Sequence, residues 1–373
     1  MEARRETERE RPITPKTAYE KWQEGEAIPI LNAFCIDDVL KVGLEPWERV
    51  GGMGAFLNMA GSENTNGAYL CEVSPGKALK PQRHLYEEMI YVLSGRGGAM
   101  VWREEGKKLT FEWQAGSLFS PPLNTWFELF NGSGTEPARF LAVTTAPLAM
   151  NLFHNIDFVF GCDYAFTDRF NGKEDYFSER KDPVRGYFWE TNFVSNIRAF
   201  EPRGAREATG REERRGVGIR RAIFEMAGNV LCAHISEWQP GTYKKAHRHG
   251  PGANILILAG QGYSLLWQEG RPRQRIDWRP GGLFVPPPQW FHQHFNASPI
   301  PVRFVALRWS NKFSLGGVFG YEGFNRDVKE GGNQIEWEDQ DPEIHRLYVQ
   351  ECAEKGVSVS PELQLIFDPR SRR

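Results

Sequence analysis

The chain has 373 residues, 40% hydrophobic and 13% aromatic, which is enough for two domains that each bury a core. Its formal net charge is −2 at pH 7, so it lacks the basic field that attracts nucleic acid or an anionic membrane. We therefore expect function to reside in a local site whose partner is a small molecule, with neither nucleic acid nor a membrane bound.

The N-terminal segment, residues 1–30, is predicted to be an extension with helical periodicity from Thr14 to Gly25. Met1 to Arg11 alternates Arg and Glu without an apolar run, which argues against a signal peptide. The five cysteines are scattered and form no C-x-x-C pair, as in reduced proteins. We expect a cytoplasmic protein.

An internal repeat organises the rest of the chain. The segment from Pro75 to Asn131 aligns without a gap onto Pro240 to Asn296, and glycines and tryptophans recur in register. Upstream the match is weaker, and there Cys71 aligns with His234. The repeat predicts two copies of one domain, at residues 31–150 and 191–310, with a connecting segment at 151–190 and a C-terminal extension at 311–373.

Each copy is predicted to consist of short strands. Met89 to Leu93 and Asn254 to Leu258 are compact apolar runs, and a Gly-x-Gly turn follows each of them. Strands this short and this evenly spaced favour an all-β sandwich or barrel over an α/β sheet. Helical periodicity is confined to the ends of the chain, and the charge-dense segment from Arg203 to Arg215 is predicted to be a solvated linker.

Three histidines of the second copy are candidate metal ligands. Side chains alternate along a strand, so His247 and His249 point to the same face and Arg248 points away. His292 is the natural third ligand, because it follows a run of prolines that fixes the entry of its strand. Imidazole suits iron, copper, nickel and zinc.

The two copies resemble the cupin superfamily at its defining motifs. In the second copy, Gly241, His247, His249 and Gly260 match the first cupin motif, and Gly281, Pro287, His292 and Asn296 match the second. The resemblance implies tandem double-stranded β-helix (cupin or jelly-roll) barrels with short peripheral helices. Ala253 occupies the position of the usual glutamate ligand, so the metal would keep its full dipositive charge and about three open positions.

The first copy has lost most of this set. Gln82, His84 and Glu88 stand where His247, His249 and Ala253 stand in the second copy, and Phe127 stands at the place of His292. Two interpretations remain open. Gln82, His84 and Glu88 hold a weakly bound second ion, or the first barrel is a scaffold for packing and assembly.

Among cupins, the second copy is most similar to the gentisate 1,2-dioxygenase group of bicupins. The similarity lies in His247-Arg-His249-Gly, in Ala253, and in the run from Pro287 to Asn296. It implies His247, His249 and His292 as ligands of Fe(II), with Mn, Zn or Ni as alternatives, and dioxygen and an aromatic or enol-type acid as co-substrates. In that group the iron lies in the N-terminal barrel, whereas here the intact set is C-terminal.

Several side chains near the ligands are candidates for a catalytic or pocket role. His294 shares a face with His292, and it either orients a ligand or substrate or is a hydrogen-bonded core histidine. Trp290 and Tyr263 are the other predicted catalytic residues, and Phe291, Tyr243 and Trp267 are further candidates for the pocket lining, although aromatic residues of small barrels also serve as core packing. His234 is predicted to be a core histidine.

The sequence leaves three functional hypotheses open. The first is a three-histidine Fe(II) dioxygenase that cleaves a phenolic ring. The second is a Mn- or Zn-dependent hydrolase, lyase or isomerase like the ureidoglycine aminohydrolase bicupins, and the third is a non-enzymatic small-molecule-binding bicupin. The apolar runs Phe158-Val-Phe-Gly and Val318-Phe-Gly-Tyr also predict a homo-oligomer.

Overall fold

The computed structural model describes residues 15–104, 106–210, 214–250, 252–309, 326–368 and 370. Strands dominate this part of the chain, and the helices are short and peripheral. Among the described helices, none has both the length and the apolar character needed to cross a bilayer.

The α-helices are α1 Ala18–Gly25, α2 Ala146–Phe153, α3 Ile156–Gly161, α4 Ala205–Thr209, α5 Pro342–Glu354 and α6 Pro361–Phe367. Single 3₁₀ turns span Val39–Lys41, Val328–Glu330 and Trp337–Asp339. The helices predicted from Thr14 to Gly25 and from Pro342 to Lys355 are confirmed as α1 and α5, whereas α2, α3 and α4 correct the expectation that helices are confined to the ends of the chain. Thr17 caps α1 in a capping box with Glu20, and Asp341 caps α5 before a proline in its first turn.

The strands associated with the first copy are β1 Ile30–Ala33, β2 Cys35–Ile36, β3 Glu45–Trp47, β4 Gly52–Met59, β5 Gly67–Val73, β6 Glu88–Ser94, β7 Arg96–Trp102, β8 Leu109–Gln114, β9 Leu118–Phe119, β10 Trp126–Asn131 and β11 Ala138–Thr144. Those of the second copy are β12 Phe188–Glu190, β13 Phe193–Val194, β14 Arg203–Gly204, β15 Arg220–Glu225, β16 Leu231–Trp238, β17 Asn254–Ala259, β18 Gly262–Trp267, β19 Gln274–Trp278, β20 Leu283–Phe284, β21 Phe291–Asn296 and β22 Val302–Trp309.

The two copies fold with the same topology. In the first, an eight-stranded sheet in the order β1-β4-β5-β11-β6-β9-β13, with β3 added beside β4, is combined with a three-stranded sheet β10-β7-β8. In the second, the large sheet runs β12-β15-β16-β22-β17-β20-β2, with β14 beside β15, and the small sheet is β19-β18-β21. The predicted fold, two double-stranded β-helix barrels in tandem, is confirmed.

The barrels exchange their short N-terminal strands. β2 pairs with β20 of the second barrel, placing Cys35 opposite Phe284, and β13 pairs with β9 of the first barrel, placing Phe193 opposite Phe119. Each large sheet is therefore completed by a strand from the other copy. The domain bounds, 31–150 and 191–310, stay predictions, and the hydrogen-bonded sheets extend across them.

Buried apolar side chains form an interior in each barrel and a third layer between the barrels. The first interior contains Trp47, Phe56 and Phe127, and the second contains Trp238, Trp278 and Phe304. The layer between them joins residues of both copies, for example Leu70 and Leu141 with Ile235 and Val305. Because the side chains of this layer are almost fully buried, we expect the two barrels to be rigidly attached to each other.

The strand registers correct the upstream part of the repeat alignment. Tyr69 of β5 lies opposite Ala142 of β11, and His234 of β16 lies opposite Ala306 of β22. Ala142 and Ala306 occupy equivalent places, so His234 corresponds to Tyr69. The alignment of His234 with Cys71 was therefore wrong by two residues, since the two segments share little sequence identity.

The structure also bears on two predictions for the segments outside the barrels, the solvated linker and the apolar runs expected at a subunit boundary. The predicted linker from Arg203 to Arg215 contains β14 and α4, and the side chain of Arg215 is buried, so a wholly solvated linker is wrong. Phe158 on α3 is exposed, as are Leu152 and Phe153 on α2. The run Val318-Phe-Gly-Tyr lies outside the described residues, and the homo-oligomer stays a prediction.

Candidate metal centre

The His-x-His segment is held by backbone pairing on both of its edges. His247 lies opposite His292 of β21, and their amides and carbonyls exchange hydrogen bonds of 3.1 and 2.8 Å. On the other edge, Arg248 donates to the carbonyl of Asn333 at 2.9 Å, and Ile335 donates to that of Ala246 at 2.9 Å. The C-terminal extension therefore fixes the extended segment that carries two of the predicted ligands.

The three predicted ligands converge inside the second barrel. One ligand nitrogen from each of His247, His249 and His292 lies within 4.8 Å of the other two. The ring centroids of His247 and His249 lie 4.3 and 4.7 Å from that of His292. His247 and His292 are buried and His249 is half-buried. The donor set, three imidazoles, fits a first-row transition metal ion.

Hydrogen bonds to backbone carbonyls orient two of these rings. Nδ1 of His247 lies 2.9 Å from the carbonyl of Lys245, and Nδ1 of His292 lies 3.1 Å from that of Trp290. A carbonyl only accepts, so each Nδ1 carries the proton and donates it. The Nε2 lone pairs of both rings are therefore left for a metal, which is the usual arrangement around ligating histidines.

The surroundings of the histidines favour their neutral form. Burial lowers the pKa of His247, His249 and His292, to about 3 for His292, and the positive charge of Arg215 lowers all three values further. Arg308 acts in the same direction on His249, and Lys244 on His292. Neutral imidazoles bind metals without first releasing a proton, so the set is ready for a metal at pH 7.

Burial of His292 predicts a pH-dependent stability of the metal-free protein. Its pKa is about 3 in the folded chain and about 6.5 when exposed, so below pH 6.5 the unfolded chain binds the additional proton. Stability is complete above pH 6.5 and falls as the pH drops towards 3, by about 2 kcal/mol between pH 6.5 and 5 for this group alone. Urea unfolding at pH 7 and pH 5 measures the loss. The free energy of unfolding of the His292→Gln variant should fall by about 2 kcal/mol less over that interval. An equal fall in both proteins would show that the pKa of His292 is not lowered in the folded chain.

His294 and Trp290 lie beside the three ligands. Nδ1 of His294 is 2.7 Å from the Ser264 hydroxyl, which also accepts a 2.9 Å bond from the Trp278 indole, and its ring centroid is 5.5 Å from that of His292. Trp290 is half-buried against the second barrel's interior. Its backbone carbonyl accepts the hydrogen bond that orients the His292 ring. Catalytic roles for both residues stay predictions.

The structure does not bring Tyr263 together with the histidines. Ser264 and Leu266 face the interior of the barrel, so Tyr263 faces outward, where its ring stacks on Phe295 at 4.5 Å. The other aromatic candidates, Tyr243, Trp267 and Phe291, also lie in the outer packing groups. The predicted catalytic role of Tyr263 is corrected accordingly, because strand alternation gives it the face opposite to that of His292 and His294.

The same place in the first barrel is filled by other contacts. Nε2 of His84 lies 3.1 Å from the Glu88 carboxylate, which also accepts from the Tyr69 hydroxyl, and Phe127 lies 5.6 Å from the His84 ring. The Gln82 amide turns away and donates to the carbonyls of Lys80 and Pro81. Within the described residues, the metal-compatible cluster of histidine, cysteine and carboxylate side chains is that of the second barrel. This arrangement favours the scaffold interpretation of the first barrel.

Sequence reasoning missed the cations around the second site. Lys244 is buried with Nζ 2.6 Å from the Ser236 hydroxyl and 4.4 Å from the centre of the Trp238 ring. Arg215 was assigned to a linker, and Arg308 was not singled out. The repeat does carry a signal for Arg308, since β22 places it where β11 has Thr144.

Comparison with known proteins supports the cupin fold. Residues 69–144 match the cupin domain family model, and no curated protein shows significant similarity to the chain. Similar solved structures include a formate complex of Lactobacillus farciminis oxalate decarboxylase, 13% identical, covering 75% of this chain and 87% of that one at a TM-score of 0.49. A deletion mutant of Bacillus subtilis oxalate decarboxylase is 14% identical and covers 75% of this chain and 78% of that one at a TM-score of 0.48. Similarity at this level says nothing about substrate or metal. The chain contains two barrels of the same topology, of which the first matches the cupin domain model, and the resemblance to the gentisate group stays a prediction.

Proposed function

We propose that this chain is a metal-dependent enzyme in which one ion, held by His247, His249 and His292, binds a small-molecule substrate directly. The observation that carries the proposal is the convergence of three neutral, buried or half-buried imidazoles, two of them preset by carbonyls to offer Nε2. Three protein ligands leave coordination positions for a substrate, which is the general difference between catalytic and structural metal sites.

The donor set favours Fe(II) over Mn(II). Imidazole suits iron, nickel, copper and zinc, whereas manganese is better served by carboxylates and water. Ala253 stands at the usual glutamate position, so the three ligands add no negative charge. Bound Fe(II) would supply the activation of dioxygen, and we propose oxygenation of an aromatic or enol-type acid as the reaction.

The chain's own residues would hold and shield the substrate. Trp238 and Phe304 pack beside His294, and Leu266 lies opposite His292, so these apolar side chains would exclude water. His294, bonded to Ser264, stands next to His292 and would orient a substrate group through its remaining nitrogen. Dioxygen and the acid are the proposed co-substrates.

A second candidate function is a hydrolase, lyase or isomerase that uses Zn or Mn and no dioxygen. The specific observation in its favour is again the ligand set, because three neutral histidines also form catalytic zinc sites. It needs a group that moves protons, and among the described residues close to the ligands His294 is suited to that role.

An oxygen dependence test separates the two candidates. Protein loaded with Fe(II), Mn(II) or Zn(II) is given gentisate and a series of related phenolic and enol-type acids, in air and under argon, while substrate loss and oxygen uptake are followed. We expect turnover with Fe(II) in air, with one dioxygen consumed per substrate, and none under argon. Turnover that persists under argon, or that needs Zn or Mn, would establish the second candidate instead.

A further inference from the structure

One pair of interior positions, called the corner below, differs in charge between the two barrels. It holds Glu88 and Thr144 in the first barrel and Ala253 and Arg308 in the second. In the first barrel, Glu88 of β6 lies opposite Thr144 of β11, and its buried carboxylate bonds His84 and Tyr69. This corner therefore contains one carboxylate with two hydrogen-bonding partners. The first barrel therefore shows how a carboxylate is held at this position, and the second barrel can be compared with it.

In the second barrel, the equivalent corner has lost the carboxylate and gained a guanidinium. His249 and His234 stand where His84 and Tyr69 stand, and Ala253 replaces Glu88. Asn254 lies opposite Leu307, so Ala253 is next to Arg308, which replaces Thr144. The two barrels thus have Glu88 with Thr144 and Ala253 with Arg308 in the same pair of positions.

His234 and Arg308 both face the interior of the second barrel. They alternate along β16 and β22 with Leu231, Ala233 and Leu307, which face the layer between the barrels. Arg308 also hydrogen-bonds the buried Cys232 thiol, and its positive charge lowers the pKa of both His234 and His249. The guanidinium is therefore close to one metal-ligand candidate and to His234.

In the part of the chain that the structure describes, two buried nitrogen atoms at this corner lack a hydrogen-bond partner. Among the described residues, nothing accepts from or donates to Nδ1 of His234, and nothing accepts from Nε of Arg308. Buried polar atoms are nearly always paired in folded proteins, so such a pair of atoms calls for a group that binds there. In the first barrel, the corresponding Tyr69 hydroxyl is paired with the Glu88 carboxylate.

We propose that a carboxylate of the substrate occupies this corner, held by Arg308 and His234 in the place that the Glu88 carboxylate has in the first barrel. The inference deepens the proposed function and rests on it for the identity of the nearby metal. A guanidinium binds a carboxylate through two parallel hydrogen bonds, which fixes its orientation as well as its position. The substrate class is therefore an acid whose carboxylate lies beside the atoms that bind the metal.

Acetate is the appropriate probe, because it matches the part of a glutamate side chain that Ala253 lacks. Its affinity is measured by calorimetry on metal-free and Co(II)-loaded protein at constant ionic strength, with acetamide as the neutral analogue. We expect acetate to bind both forms, more tightly with Co(II), and acetamide to bind neither.

Substitutions at the corner decide the assignment. Arg308→Gln should weaken acetate binding at least tenfold in both forms, and Ala253→Glu should abolish it, because the new carboxylate takes the same place while Co(II) still binds. Arg248→Gln is the matched control, since this arginine lies between two ligand candidates but contacts Phe291 and Glu269 outside the barrel, and it should leave the affinity unchanged.

The outcomes separate this inference from the proposed function. Acetate affinity that is equal in wild type, Arg308→Gln and Ala253→Glu, with all three folded by circular dichroism, would overturn the carboxylate corner whatever the metal does. Failure of wild-type protein to bind Co(II), with Arg308-dependent acetate binding intact in the metal-free form, would overturn the metal-dependent function and leave the anion site standing.

Discussion

The His292→Ala variant should lose the metal. His292 is the most deeply buried of the three ligand candidates, and it is the one that closes the set from β21. Because changes to residues that merely orient ligands already cost about 10–100-fold in affinity, we expect removal of the ligand itself to weaken Zn(II) or Co(II) binding by more than about 100-fold. Metal titration of the purified variant measures the effect, and turnover should fall with it.

A histidine outside the barrel interior provides the control for this variant. His154 is exposed and ends α2 in a left-handed conformation, which asparagine tolerates. The His154→Asn variant should bind metal as the wild type does. Wild-type affinity in His292→Ala would show that the ion is held elsewhere and would contradict the site.

Glu88→Ala should destabilise the protein strongly without affecting the metal. Glu88 is 1% exposed, and its carboxylate is bound to His84 and to the Tyr69 hydroxyl. Removing it leaves Nε2 of His84 and the Tyr69 hydroxyl without this partner, and breaking a buried pair of this kind costs about 3–5 kcal/mol. Urea unfolding at pH 7 measures the cost, and elemental analysis of the same sample checks that the second barrel still holds its ion.

The conservative substitution separates the hydrogen bonds from the charge. Glu88→Gln keeps an acceptor oxygen at the same place, so it should lose less stability than Glu88→Ala. Loss of metal from either variant would mean that the first barrel contributes to the metal centre, against its assignment as a scaffold. An unchanged free energy of unfolding in Glu88→Ala would show that the buried network is not a source of stability.

The parts of the site that lie within the repeat were predictable from the sequence. A gap-free alignment compares each position of one barrel with its partner, so His247, His249 and His292 were found together with their replacements Gln82, His84 and Phe127. Strand alternation then placed the ligands on one face, and the structure brings them together. The short, evenly spaced strands predicted an all-β sandwich or barrel, and the resemblance to the cupin motifs implied the double-stranded β-helix.

Other features depend on contacts between segments that are distant in sequence. The exchange of β2 and β13 between barrels leaves no local pattern, because a two-residue strand carries almost no periodicity. The pairing of Arg248 with Asn333 is equally invisible in the sequence. Tyr263 was misplaced because the register of β18 relative to His292 sets its face, and a shift of one residue reverses every side chain.

The repeat also predicts the difference in charge at Arg308, although the motif positions alone do not reveal it. Thr144 and Arg308 are equivalent, and their difference in charge accompanies the difference between Glu88 and Ala253. The two changes are neighbours only across a pair of strands, so neither is notable alone in the sequence. The incorrect upstream register also hid the correspondence of His234 with Tyr69.

We propose that the second barrel holds one metal ion and that the first holds none. Elemental analysis of protein purified without added metal tests it directly, with His292→Ala and His84→Ala measured beside the wild type. We predict one first-row transition metal ion per chain, iron foremost, in the wild type and in His84→Ala, and essentially none in His292→Ala. Two ions per chain, or a single ion that is lost from His84→Ala and kept by His292→Ala, would contradict the account.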